Sequence, residues 1–161
     1  MSGTYAEDFV QFQGVNVLSE MIVVDYEKDF EGTKPDGILG LSNKKNDKNI
    51  FDLGFEQGQL VSSTFAFQLG LRFLKQPSFF YFNISEEVDF KDAYFVKASR
   101  KTYWTIPVKS MRVGDQNYAM SEALIDTGTS LIIFPQKTYF QLDKDVFSKL
   151  CSAYSSNFYI T

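Results

Sequence analysis

Asp126 lies in the run Ala123-Leu124-Ile125-Asp126-Thr127-Gly128-Thr129-Ser130-Leu131-Ile132-Ile133-Phe134-Pro135. An acid stands between two apolar stretches and is followed at once by Thr, Gly, Thr and Ser. Apolar stretches of this length read as buried strands. A carboxylate there is costly to bury unless hydrogen bonds or a chemical role compensate. The next four residues hold the means. Gly128 permits a tight turn and a close approach of backbone N–H groups. The hydroxyls of Thr127, Thr129 and Ser130 can donate to the carboxylate or tie down the loop. The pattern predicts an acid–base carboxylate displayed on a rigid loop between strands. The triplet Asp-Thr-Gly alone says little, because a hairpin turn also uses Asp and Gly. The reading is carried by the agreement of the apolar stretches, the Thr-Ser tail and Pro135.

What the chain lacks narrows the chemistry. It has no histidine, which removes Ser-His-Asp and Cys-His catalysis and nearly all imidazole metal sites. Cys151 is the single cysteine, so neither an internal disulfide nor a thiolate metal cluster can form. It fits a small buried apolar residue, or half of a disulfide to a cysteine outside this chain. A net charge of −4 argues against nucleic-acid binding, as does the lack of a concentrated basic patch. Lys44, Lys45 and Lys48 cluster, but Asn and Asp interrupt them, and they read as a solvated loop. No apolar run approaches the roughly 18 residues that span a membrane. Met1-Ser2-Gly3-Thr4 leads directly into strand-like sequence, with no signal peptide visible. Asn83-Ile84-Ser85 fits an N-glycosylation acceptor, a pattern short enough to arise by chance.

The elements that must position Asp126 are mostly strands. A chain of 161 residues can bury a real core. Its 44% apolar and 22% charged residues are those of a globular protein, and 17% aromatic residues favour strands. The expected fold class is all-β with a few short helices. Strands are expected over residues 4–13, 15–24, 79–84, 93–96, 103–113 and 123–125. One helix is expected over about residues 50–57, with Asn49 as its N-cap. A second starts near Pro135 and covers residues 137–142, and a further helical stretch runs over residues 146–154. Residues 43–49 read as an exposed loop, and residues 85–100 as a turn and an edge hairpin. Tyr103 and Trp104 read as core or cross-strand packing rather than a ligand platform.

The extended pattern around Asp126 closely resembles the second active-site loop of pepsin-like aspartic proteases. Other segments resemble that family in the expected order. Ser2-Gly3-Thr4-Tyr5-Ala6-Glu7-Asp8-Phe9-Val10 is similar to the strand after the substrate-covering flap. Asp36-Gly37-Ile38-Leu39-Gly40-Leu41 is similar to the segment paired with the first active-site loop. Residues 51–69, with Gln57-Gly58-Gln59-Leu60-Val61 and Thr64-Phe65-Ala66-Phe67-Gln68-Leu69, resemble the following helix and the strand toward the second lobe. Tyr103-Trp104-Thr105-Ile106-Pro107-Val108 resembles the strand before the second aspartate. The resemblance implies a partial bilobal, double-ψ β-barrel architecture. Residues 1–76 would come from the first lobe and residues 77–161 from the second, with the crossing near Pro77.

It also implies a mechanism. Two aspartates share a proton, one as base toward water and the other as acid toward the scissile carbonyl. Asp126 matches one of the pair and is the candidate catalytic residue. Thr127 matches the threonine whose hydroxyl crosses to the opposite loop. Gly128 and Thr129 match the turn that positions the carboxylate and contacts substrate backbone. No second Asp-Thr-Gly or Asp-Ser-Gly occurs in the chain, and the flap tyrosine would precede Met1. The chain therefore reads as the middle of a two-lobed protease, catalytically weak or dead alone. Its expected partners are polypeptide substrates, the missing protease segments or a second copy. A second copy would be obstructed by the first-lobe segments. No metal or cofactor is needed, and the family implies a secreted or lysosome-like acidic compartment.

Two other readings compete. A pepsin-like fold without a working pair can bind peptides without cutting them. Aspartyl-phosphate chemistry needs a Lys directly after the Asp, where this chain has Thr127, and the chain has no phosphate-binding loop.

Overall fold

The structure is a computed structural model and describes residues 2–26, 36–44, 47–85 and 93–153. Lys45, Tyr154, the Phe158-Tyr159-Ile160-Thr161 end and the Cys151 side chain lie outside the described residues. The chain divides into two compact units. One is Met1–Phe95 with Lys101–Tyr103, and the other is Val96–Arg100 with Trp104–Thr161.

The first unit begins with a long antiparallel ribbon. Strands β1 (Ser2–Phe12) and β2 (Val15–Tyr26) pair from Phe12↔Val15 to Gly3↔Val24. Val, Ile, Leu, Phe and Tyr along both strands favour this conformation. The two residues between them, Gln13 and Gly14, have φ of 45° and 82°. Two consecutive positive φ values make the turn whose twist matches a right-handed ribbon, and Gly14 adopts it without a Cβ penalty.

Helix α1 (Ile50–Glu56) packs on this ribbon. Asn49 starts it as expected. Its Oδ1 accepts from the N–H groups of Phe51 at 3.0 Å and Asp52 at 3.2 Å, satisfying donors that a helix leaves unpaired. Its amide nitrogen donates to Asp52 Oδ2 at 2.8 Å and to the Ser42 carbonyl at 3.3 Å. Asn49→Ala is therefore expected to cost about 1–2 kcal/mol. Urea unfolding checks this, with Asn49→Ser expected to lie between wild type and Ala. At the other end Gln57 behaves as a strand would. Its Nε2 donates to the Leu18 carbonyl at 2.8 Å and its Oε1 accepts from Leu18 N–H at 3.0 Å. The basic loop closes on local acids, Lys44 with Asp47 and Lys48 with Glu56, in keeping with a solvated role.

Strands β3 (Phe65–Gln68) and β4 (Phe79–Phe82) pair antiparallel, Phe65 opposite Phe82. Pro77, where the lobe crossing is expected, lies in their connection within the first unit. Val17, Ile50, Phe51 and Leu60 form the buried cluster, with Val10, Phe12, Val15, Leu41, Leu53, Phe65 and Phe82 against it. Phe51 is its centre, with ring centroids of Phe12, Phe65, Phe80 and Phe82 at 5.2–5.9 Å.

The second unit holds two short strand pairs. Strand β5 (Thr105–Pro107) pairs with β8 (Glu122–Leu124), and β6 (Ser110–Val113) with β7 (Gln116–Ala119). The single strand expected over residues 103–113 is thus two, changing partners at Val108 and Lys109. Their backbones still bond to Ser121 and Met120. Helix α2 (Gln136–Leu142) starts after Pro135, whose ring suits a helix entrance. A wider-wound turn, Asp143–Phe147, leads into α3 (Ser148–Ala153). Among the described residues, Leu142 and Tyr118 are the buried apolar side chains of this unit. The Tyr118 hydroxyl donates to Asp145 Oδ2 at 3.4 Å.

The architecture is all-β with short helices, the class expected, and is consistent with part of the fold that the resemblance implies. Among the described residues every sheet has two strands and no barrel closes. Several expectations need correction. Residues 93–96 form no strand, and Tyr94 and Phe95 are exposed. No edge hairpin forms over residues 93–100, while residues 86–92 lie outside the description. Tyr103 and Trp104 are exposed, so neither is core, while the Trp104 backbone still bonds across to Ile125. Apolar alternation reports only what a segment prefers; a strand also needs a partner in register.

Candidate active site

The site starts from strand β8. Beyond Leu124 the ladder continues by one bond, Ile125 N–H to the Trp104 carbonyl at 2.9 Å. Asp126 is the next residue, where the chain leaves the sheet and turns. The strand pair behind it is braced by Ser99 and Arg100, which precede β5. The Ser99 N–H donates to the Thr105 carbonyl at 2.8 Å, its hydroxyl reaches the same oxygen, and Arg100 forms an ion pair with Glu122. Sequence reasoning missed this bracing; opposite charges on segments with no common period give no local signal.

Both carboxylate oxygens of Asp126 are engaged by its own loop. Oδ1 accepts from the Gly128 N–H at 2.8 Å, and Oδ2 accepts from the Thr129 hydroxyl at 2.6 Å. A Cβ on Gly128 would sit 3.2 Å from Oδ1. That is tighter than an ordinary contact, so the turn closes onto the carboxylate most easily with glycine there. The loop is exposed throughout residues 125–131. Thr127 and Ser130 make no side-chain hydrogen bond among the described residues. The structure therefore brings Gly128 and Thr129 onto the carboxylate, and Thr127 makes no bond to it.

These donors set the charge of the acid. The Thr129 hydroxyl first, and the Gly128 amide second, hold the Asp126 carboxyl below its ordinary pKa, against a smaller opposing effect of desolvation. An ionised carboxylate accepts both bonds, whereas a protonated one must release an acceptor site. A depressed folded-state pKa adds stability above the unfolded-state value, lost as pH falls through the folded one. Thr129→Val is expected to raise the Asp126 pKa toward the ordinary aspartate value. Thr129→Ser should hold it low. A carboxyl-carbon NMR titration of the three proteins checks the order.

The flanks of the loop differ from expectation. Only the N-terminal flank is a strand. Leu131, Ile132 and Ile133 form none and are each about 80% exposed. The reading of two buried strands around Asp126 is corrected to one short strand, partly buried at Glu122 and Ala123 and exposed at Leu124 and Ile125, because no segment among the described residues pairs with residues 131–133 or covers them. Ile38 and Leu39 of the first-lobe-like segment are likewise exposed and outside any strand.

Comparison with known proteins shows the family of the chain. The pattern that defines the eukaryotic aspartyl proteases matches residues 1–159. The chain belongs to that family. It is 29% identical over 157 residues to Pepsin A of Gallus gallus, covering 91% of this chain and 42% of that protein. It is 29% identical over 146 residues to the Pregnancy-associated glycoprotein of Equus caballus, covering 84% and 38%. Against Cathepsin D of Chionodraco hamatus it is 30% identical over 126 residues, covering 73% and 32%. The chain thus spans about two fifths or less of the curated relatives it matches. No helix among the described residues is long and apolar enough to cross a membrane.

Proposed function

We propose that this chain is part of an aspartic-type endopeptidase in which Asp126 is one of two carboxylates that activate a water. The observation that supports this most directly is a family-matching Asp-Thr-Gly loop whose carboxylate is exposed, oriented through both oxygens and held ionised. An ionised, oriented carboxylate is ready to act as base, taking a proton from water as it attacks a peptide carbonyl. The second carboxylate, protonated by its nearness to the first, gives its proton to the developing oxyanion. Gly128 and Thr129 hold Asp126 in place. Thr127, whose hydroxyl is unspent within its own loop, is the residue that ties this loop to the opposite one.

Asp126 is the only aspartate of this chain in an Asp-Thr-Gly or Asp-Ser-Gly setting. The chain alone therefore lacks the second carboxylate and is catalytically incomplete. Residues 1–76 belong to the end of a first lobe and residues 77–161 to the start of a second. The β3–β4 hairpin straddles the crossing. Substrates are extended polypeptides with apolar residues beside the cut, in a secreted or lysosome-like acidic compartment. The same lack of a second motif favours one other reading, a pepsin-like protein that binds peptides without cutting them. Acid hydrolysis of a polypeptide by the product of the complete transcript decides between them. Cleavage supports the protease, and binding without cleavage supports the other.

A further inference from the structure

The loop after β4 carries a feature the protease reading does not use. Asn83 has φ of 55°, and its Oδ1 accepts two backbone N–H groups, Val61 at 2.7 Å and Ser62 at 3.0 Å. Two N–H donors can face only the oxygen of the amide, so its orientation is assigned by chemistry. The nitrogen, Nδ2, then points the other way and has no hydrogen-bond partner. Among the described residues Thr105 Oγ1 is the one buried side-chain polar atom without a partner. The unbonded Asn83 nitrogen is therefore in contact with solvent. Asn83 thus divides its amide, with the oxygen bracing the loop before β3 and the nitrogen free.

Asn83 is also the one asparagine of the chain with a hydroxyl residue two positions on and no intervening proline, Asn83-Ile84-Ser85. Among the described residues the Ser85 side chain makes no hydrogen bond. We propose that Asn83 is an N-glycosylation site whose glycan leaves from Nδ2 while Oδ1 keeps its two bonds. The donor is a lipid-linked oligosaccharide pyrophosphate. The amide nitrogen bonds to the anomeric carbon, the bond from that carbon to the pyrophosphate oxygen breaks, and the amide proton is lost with the lipid pyrophosphate. The product is still an amide with a carbonyl oxygen, so the brace to Val61 and Ser62 survives. This matters because a sugar on a side chain whose nitrogen were spent on the fold would have to break that fold.

The inference rests on the proposed secretory or lysosome-like route, and its test separates the two. The chain is expressed behind a supplied leader in a eukaryotic secretory host, so that it enters the lumen wherever the native protein resides. Gel mobility with and without a peptide-N-glycosidase is then read. One shift is expected in the wild type, lost in Asn83→Asp and in Ser85→Ala. Asn83→Asp keeps the accepting oxygen, and Ser85→Ala leaves Asn83 untouched, so neither loses the brace. A wild-type chain that enters the lumen without a shift, or a shift that persists in Ser85→Ala, overturns the inference. Fractionation of the native protein reads the compartment separately, and neither result bears on peptidase activity.

Discussion

Asp126→Asn in the complete protein is expected to abolish peptide hydrolysis, with kcat falling by about 10⁴-fold and KM little changed. Asn keeps the shape of Asp and the oxygen that accepts the Gly128 N–H. Its amide nitrogen replaces the oxygen that accepts from Thr129, and the threonine hydroxyl can rotate to accept instead. The loop is therefore conserved while the charge and the proton-accepting lone pairs are lost. General acid–base catalysis contributes on the order of 10²–10⁴, and groups that act as a unit lose nearly everything when one is removed. The upper end applies because the second carboxylate cannot hold its proton state without the first. Steady-state kinetics at acid pH, with an unfolding curve to show the variant is folded, checks this. A variant within tenfold of wild type would remove Asp126 from the chemistry.

Phe51→Ala should cost the first unit about 3–5 kcal/mol, the range for a large buried aromatic truncated to alanine. The Phe51 side chain is 1% exposed and meets four other phenylalanine rings, stacked on Phe82 and edge-on to Phe12. Deleting it removes contacts to α1, the ribbon and the β3–β4 hairpin at once. The cavity cannot collapse without moving all three. Among the described residues the buried cluster holds only Val17, Ile50 and Leu60 besides Phe51. A loss of this size is then most of the stability of a typical small domain. Urea unfolding followed by far-UV circular dichroism should show the midpoint collapse, with Phe51→Leu intermediate. An unchanged midpoint would mean that this cluster does not hold the unit together.

Much of the fold could be read from local pattern. Both strands of the β1–β2 ribbon follow from their apolar runs, although Gln13, expected inside the first strand, lies in the turn. The limits of α1 follow from Asn49, and the start of α2 from Pro135. Strand β7 was missed because Gln116 and Asn117 are polar, although Gly114-Asp115 ahead of it folds the chain back onto β6. The errors share one cause. Residues 93–96, 103–104 and 131–133 carry strand-like or core-like residues, yet all are exposed. Sequence reports a preference for burial, but burial needs a covering segment, and no local period encodes its presence. In the site, the service of Gly128 and Thr129 to the carboxylate was legible because both lie within three residues of it. The Arg100–Glu122 brace was not, since it joins residues 22 apart.

The dependence of Asp126 on a second carboxylate is tested most directly by an acid proteolysis assay on the isolated 161-residue chain. Monomer and dimer fractions are separated first, and Asp126→Ala runs beside the wild type. A lone ionised aspartate has no acid partner to protonate the developing oxyanion, so neither fraction should cleave the substrate. Cleavage by the monomer that disappears in Asp126→Ala would show that one aspartate suffices. Cleavage confined to the dimer and lost in the variant would show that two copies of Asp126 can meet despite the first-lobe segments. Either outcome contradicts the account.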